Sequence, residues 1–254
     1  MAFTLRWTGM TTFLATETRV QLHEWLAIGT GSLVQAALLV FVWVLDPTLL
    51  PLTVIGAMVY SVFLIGQRVL NEAAYIRIDH KLNELYHASP MSPESYFLGM
   101  SMGILIAYTP PLVVLFVILE FLYPMSLAAV GMLILALLAV WAFSSSLGYY
   151  ISTLFTDMKT IWPYSSLLTN LFGIVPPVFF PLSLLTEHVA WAWVPALLVP
   201  TSSATALVEA VAGMPEMGGL TTTQYLVAGG SLALEAALML LFGIYWARRT
   251  AREA

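Results

Sequence analysis

The chain contains no cysteine in its 254 residues. That excludes disulfides, thiolate metal sites and cysteine nucleophiles. Charge is scarce as well: 9% of the residues are Asp, Glu, Lys or Arg, where soluble domains carry about 25%. Nine Lys and Arg in a chain of formal net charge -5 are too few and too dispersed to grip a phosphate backbone, so no nucleic-acid partner is expected. The four histidines, His23, His80, His87 and His188, fall in loops or at segment ends without metal-site spacing, and no His-Glu-x-x-His motif exists. Lys159-Thr160 echoes the end of a nucleotide-binding loop, but Met158 occupies the place of the required Gly. No metal or cofactor is therefore expected in this chain, and it is read as not an enzyme by itself. The first twenty-four residues include Arg6, Glu17, Arg19 and Glu24 and lack the apolar block of a cleavable signal.

What is present in quantity is apolar: 60% of the chain, with a mean hydropathy of +0.89. The apolar runs divide into six segments, about Trp25–Leu45, Leu50–Gln67, Phe97–Leu119, Met125–Ile151, Thr160–Phe180 and Tyr225–Trp246. Crossing about 30 Å of hydrocarbon takes about twenty helical residues, which these segments approach or reach. Threading them back and forth puts all nine basic residues, Arg6, Arg19, Arg68, Arg77, Lys81, Lys159, Arg248, Arg249 and Arg252, on one side. The other side carries only acids: Asp46, Glu120, Glu187, Glu209 and Glu216. Cytoplasmic loops retain Lys and Arg while translocated loops exclude them. The expected fold is an all-α membrane protein with six transmembrane helices, both termini cytoplasmic and the plasma membrane as its location. Residues 1–254 form one transmembrane domain.

Three other stretches stand out. Residues 1–24 read as an amphipathic interfacial helix, with Phe3, Trp7, Met10, Phe13 and Leu14 on one face and Arg6, Glu17 and Arg19 at its polar boundary. Residues 68–96 are the longest charged stretch on the basic side. Residues 181–224 are too apolar for a solvated loop and suggest short re-entrant helices, around Trp191–Val199 and Ala204–Ala212. Within the segments, Gly99 and Gly103 form a small-xxx-small pattern suited to close helix packing. Pro110-Pro111 and Pro176-Pro177 remove backbone donors, and Ser144-Ser145-Ser146 can bond back to helix carbonyls or across helices. Glu235 is the one ionisable residue near a segment's middle, a functional candidate by default and equally a structural carboxyl. Gln35 and Asn170 are the other mid-segment polar groups.

The stretch Asn71–Gly99 reads NEAAYIRIDHKLNELYHASPMSPESYFLG. Its Leu82, Glu84, Leu85, Pro90, Met91, Ser92, Tyr96, Leu98 and Gly99 resemble the "Gly-Thr-Leu-Glu-x-Leu … Pro-Leu-Ser … Glu … Leu-Gly-Lys" stretch between the second and third helices of the permease subunits of type-2 ABC exporters. Lys81 stands for the usual Gly and Met100 for the usual Lys. A second stretch, Val175–Gly213, is similar to that family's loop between the fifth and sixth helices. With the helical lead-in and six segments, the resemblance covers nearly the whole chain.

The resemblance implies a half-transporter. A separate ABC ATPase subunit would bind ATP and Mg, and a second copy of this chain, or a related permease, would complete the path through the bilayer. Arg77, Lys81, Glu84, Leu85 and Tyr86 would contact the ATPase, while Gln35, Asn170, Phe179, Phe180 and Glu235 would line the path or its gate. The apolar lining suits an amphipathic or hydrophobic substrate such as a lipid, a drug-like compound or a peptide. The alternatives are a proton-coupled secondary transporter using Glu235, or a scaffold subunit that transports nothing.

Overall fold

A computed structural model describes residues 2–23, 25–78, 91–214 and 220–253, with side chains for 9–23, 35–78, 91–214 and 220–250. Every regular element among the described residues is helical. They are α1 (Ala2–His23), α2 (Trp25–Leu45), α3 (Leu50–Ile78), α4 (Pro93–Leu122), α5 (Leu127–Ser152), α6 (Met158–Thr169), α7 (Leu182–His188), α8 (Trp193–Leu197), α9 (Pro200–Ala212) and α10 (Thr222–Glu253). Among the described residues, four helical segments are long and apolar enough to cross a membrane: Pro47–Ile78, Pro93–Leu122, Leu127–Ser152 and Thr222–Thr250. Helices of this kind suit a multi-pass membrane protein, and so do the exposed apolar faces of α4, α5 and α10, with Val113, Val117, Leu135, Leu234 and Leu241 turned outward.

Local chemistry sets the helix starts. Ser92 caps α4 by accepting from the Ser95 N–H at 3.3 Å, and Pro93 follows at the first helical position. There its fixed φ and missing donor cost nothing. Ser126 caps α5 through the Ala129 N–H at 3.2 Å, and Asp157 caps α6 through the Lys159 N–H at 3.2 Å. At the other end of α9, Gly213 has φ 72°, and the N–H groups of Gly213 and Met214 return to Ala210 and Glu209 carbonyls. That closure needs a left-handed residue, which glycine supplies without strain.

The centre of the bundle is the crossing of α3 with α5, the most extensive helix pair among the described residues. A Cβ built on Gly66 would collide with the Ser144 carbonyl, and one on Gly148 with the Gly66 carbonyl. Lipid tails are as apolar as Leu, so helices in a bilayer are joined by close packing and hydrogen bonds rather than by hydrophobic transfer. Two glycines facing each other provide that closeness. α10 then packs on α5, with the Trp246 indole donating to Thr153 Oγ1 at 2.9 Å. Gly243 sits so near Ser146 that a Cβ there would lie 2.7 Å from its Oγ. Of the serine run, Ser144 bonds both along its own helix, to Trp141 O, and across to Val62 O on α3.

Gly99 and Gly103 do mark a close approach, and the helix received there is α1. Phe13 lies over Gly99 and against Tyr96 (ring centroids 5.1 Å apart), and Glu17 covers Gly103. Successive contacts of Gly9 with Met91, Phe13 with Gly99 and Glu17 with Gly103 run α1 alongside the first turns of α4. Glu17, expected at a polar boundary, is instead buried (4% exposed) and accepts from Gln21 Nε2 at 2.9 Å. The same amide reaches Glu72 on α3 at 3.5 Å.

The 160–180 segment is not one uninterrupted helix. α6 continues as a π turn, Asn170–Ile174, where Val175 N–H bonds Asn170 O at 2.9 Å, and the helix then gives way before Pro176-Pro177. Between this point and α10 lie three short helices rather than two. The last, α9, is buried from Pro200 to Glu209 among α5, α10 and α3.

Candidate functional site

The α3 helix carries the residues on which the expected path-lining groups converge. Its Ser61 accepts from Gln35 Nε2 at 2.6 Å and passes its own proton to Ala57 O at 2.6 Å, tying α2 to α3 through a pair shielded from solvent. The preceding residue, Tyr60, stands edge-on to Phe179 (centroids 5.5 Å apart) and lies against Gly173 in the π turn, where a Cβ would come within 2.6 Å of the ring. One turn above, a Cβ on Gly56 would collide with the Val178 carbonyl. Thr53 donates to Phe179 O at 3.4 Å. Phe172 reaches the same level, 6.0 Å from Phe63.

Gln35, the π turn that contains Asn170, and Phe179 are thus gathered within a few residues of α3. The Asn170 side chain is exposed, and Phe180 is partly buried beside Phe179. Glu235 stands apart from this group. It lies on α10 and has one carboxyl oxygen, Oε2, shielded from solvent without a hydrogen-bond partner. The faces of α2 and α6 turned away from α3 are apolar: Val40, Phe41, Trp43 and Val44 on one, Trp162, Leu167 and Leu171 on the other, all exposed. Ser166 and Asn170 are exposed there too.

Arg77 lies toward the opposite end of α3, about 26 Å from Tyr60 at 1.5 Å of rise per residue. Its guanidinium turns into the molecule. Nη2 donates to the carbonyls of Ser152 and, at 2.5 Å, Phe155, capping the C-terminal end of α5. A cation there also meets the negative end of the helix dipole. A cavity of about 30 Å³ opens beside it, lined by Tyr96, Tyr149 and Thr250 among others. Lys81, Glu84, Leu85 and Tyr86 lie outside the described residues.

Several residues had no place among the sequence-derived candidates. Arg68 donates from Nε to the Tyr108 hydroxyl at 2.7 Å, and Gln67 donates to Ser165 O on α6 at 2.5 Å. Glu209, assigned by the sequence to a translocated acidic loop, is 1% exposed inside the bundle. Its signal was a lone acid in the apolar run Ala204–Ala212. Gly66 had no signal, and Gly148 had only the small-xxx-small spacing Ser144-x-x-x-Gly148, which was not read. No group of three or more His, Cys, Asp or Glu able to hold a metal occurs among the described residues. No family model, curated protein or solved structure matches the chain.

Proposed function

We propose that the chain is the membrane-spanning permease subunit of an ATP-driven exporter of the type-2 ABC class, energised by a separate ATPase subunit and completed by a second copy of itself or a related permease. The observation that carries this reading is the shape of α3 and α4 around the motif-bearing segment between them. They contain 29 and 30 residues, about 43–45 Å of helix at 1.5 Å per residue. That exceeds the hydrocarbon core by about ten residues each. The surplus belongs at the end where Arg68, Glu72, Arg77 and Glu94 lie, so the ends of both helices at Ile78 and Pro93 project from the bilayer toward a soluble partner. α1 braces this projection by touching Met91, Tyr96 and Glu72.

On this reading α2, and α6 with its continuation to residue 180, supply two further spans, both termini lie in the cytoplasm and the plasma membrane is the site of action. Movement of the segment seated on the ATPase passes into α3. From there it reaches the turn before α6 through Arg77, α6 itself through Gln67 and the outer turn through Tyr60. The apolar faces of α2 and α6, with Ser166 and Asn170 interspersed, suit an amphipathic or hydrophobic substrate. The helices α7–α9 serve as the outer gate, with Phe179 and Phe180 below it.

The test is reconstitution in vesicles with the candidate ATPase. Glu84→Lys combined with Tyr86→Ala is expected to abolish ATP-dependent transport and transport-stimulated hydrolysis while the chain still inserts. Transport that persists without ATP and without a bound ATPase overturns the proposal. The shielded carboxyl oxygen of Glu235 favours one rival, proton-coupled carriage through α10. That rival requires Glu235→Gln to eliminate transport, whereas the exporter reading expects ATP-dependent transport to survive it.

A further inference from the structure

The acid buried most deeply in the described part of the molecule is Glu209, and it lies on the helix that the exporter reading makes the outer gate. It is 1% exposed, and its Oε1 has no hydrogen-bond partner. The whole of α9 from Pro200 to Glu209 is buried, so the carboxyl cannot reach solvent by a side-chain rotation alone. Among the described residues, no basic group forms an ion pair with it. Lys159 and Arg248 are the nearest Lys and Arg in sequence, and both lie at the far end of the bundle from Tyr123 and the tip of α9.

The elements packed against α9 bring few ionisable groups. α5 offers Tyr149 and Tyr150 at its far end. α10 offers Tyr225 and Glu235, with Tyr245, Arg248 and Arg249 toward its far end, and α3 offers Tyr60 in its nearer half. α8 and the π turn have none. At the tip of α9, Tyr123 donates to Ala212 O at 3.1 Å, and Glu120 lies one turn before it on α4. None of these bonds Glu209 Oε1. A carboxylate without a cation or a full set of donors is too costly to bury, whereas the neutral acid is tolerable.

We propose that Glu209 is a proton-binding site on the gate helix: α9 in its seat holds the carboxyl as the neutral acid, and withdrawal of α9 releases that proton to water on the outer side. Burial pushes the Glu209 pKa well above the usual carboxylate range, and exposure would return it to that range. Between the two values, each unit of rising external pH favours the withdrawn arrangement by up to about tenfold. Acid outside holds the gate shut, and alkaline conditions loosen it. This rests on α9 being the gate, but occupancy by the proton does not.

The absence of native cysteine makes the test clean, since one introduced thiol is the only one. Ala206→Cys reports on the buried part of α9 and Ala190→Cys on an exposed turn nearby. The ratio of their labelling rates with a membrane-impermeant maleimide cancels the thiol's own pH dependence. Between pH 5 and 8 the ratio is expected to rise several-fold or more with Glu209 present and to stay flat in Glu209→Gln. In parallel, the infrared carbonyl stretch of a protonated carboxyl should be present in the unmodified chain at neutral pH and diminished in Glu209→Gln, a readout independent of any movement. An unchanged infrared band, or the same pH-dependent ratio in both chains, overturns the inference. If both signals behave as expected but no ATP-dependent transport exists, the exporter reading fails and the proton site stands.

Discussion

The two sides of α3 are built differently. Toward α5 the contact is backbone on backbone: Gly66 and Gly148 bring the two chains together, and Ser144 adds a bond to Val62 O. Beyond α5, α10 continues the same tight packing through Gly243, Trp246 and the Tyr150–Phe242–Trp246 aromatic group. Toward α2 and α6 the ties are side chains reaching out to single acceptors, Gln35 to Ser61 and Gln67 to Ser165 O, and a backbone contact returns past the π turn, where Gly56 faces the Val178 carbonyl. A glycine interface has no intermediate geometry, because separating it opens a void that lipid cannot enter closely. A side-chain hydrogen bond can release one acceptor and take another at small net cost, since interhelical bonds in membranes average about 0.6 kcal/mol. On the exporter reading, this difference assigns the fixed frame to α3, α5 and α10 and the moving parts to α2 and α6.

The frame side breaks with the largest effect. Gly66→Leu places a branched side chain where even a Cβ collides with the Ser144 backbone, so the helices must part. The expected loss is about 4 kcal/mol or more, the size reserved for severe overpacking. It is measured as unfolding of the purified protein in detergent, with Gly148→Leu behaving alike. A loss below about 1 kcal/mol would mean that the crossing accommodates bulk. Gly229→Ala on α10 is the control, because its Cβ would meet nothing within 4 Å. It should leave stability unchanged or slightly raised.

Arg77→Met comes next. The stem is preserved and the guanidinium removed, leaving the Ser152 and Phe155 carbonyls without this donor. Buried acceptors that lose their partner cost about 1–3 kcal/mol. If Arg77 also conveys motion to the turn between α5 and α6, the variant retains ATP binding by the partner but loses stimulation of hydrolysis by substrate. Equal stability of Met and Arg at this position would remove Arg77 from both roles.

The sequence made some of this legible and left some out, for physical reasons. Helices α3, α4, α5 and α10 were readable from apolar run length, because spans are local properties; the caps Ser92 and Ser126 that set the starts of α4 and α5 are local too but were not singled out. Gly99 and Gly103 announced a close contact by their spacing, although nothing local named α1 as the partner. Gly66 and Gly148 are separated by 82 positions, and their meeting is a tertiary fact with no periodic trace. The π turn at Asn170–Ile174 was likewise hidden, since one extra residue in a helix alters no composition. The gathering of Gln35 and Phe179 on Tyr60 and Ser61 depends on how α3 is placed between its neighbours. Glu209 was visible as an acid in an apolar run, but charge bookkeeping alone sent it to a loop.

The smallest expected effect falls on the moving side and is the most informative about motion. Gln35 and Ser61 form the one side-chain hydrogen bond described between α2 and α3. A double-mutant cycle of Gln35→Leu and Ser61→Ala should give a coupling of about 0.6 kcal/mol and no more than about 1.7. That range corresponds to a factor of about 3 to 18 in an equilibrium constant. If α2 slides against α3 during transport, the bond exists in only one arrangement, so the same factor acts on the balance between arrangements rather than on folding. Transport rate should then change in Gln35→Leu while the unfolding temperature barely moves. Coupling near 3 kcal/mol, with stability and transport falling together, would instead place α2 in the frame alongside α5 and leave α6 as the sole moving helix against α3.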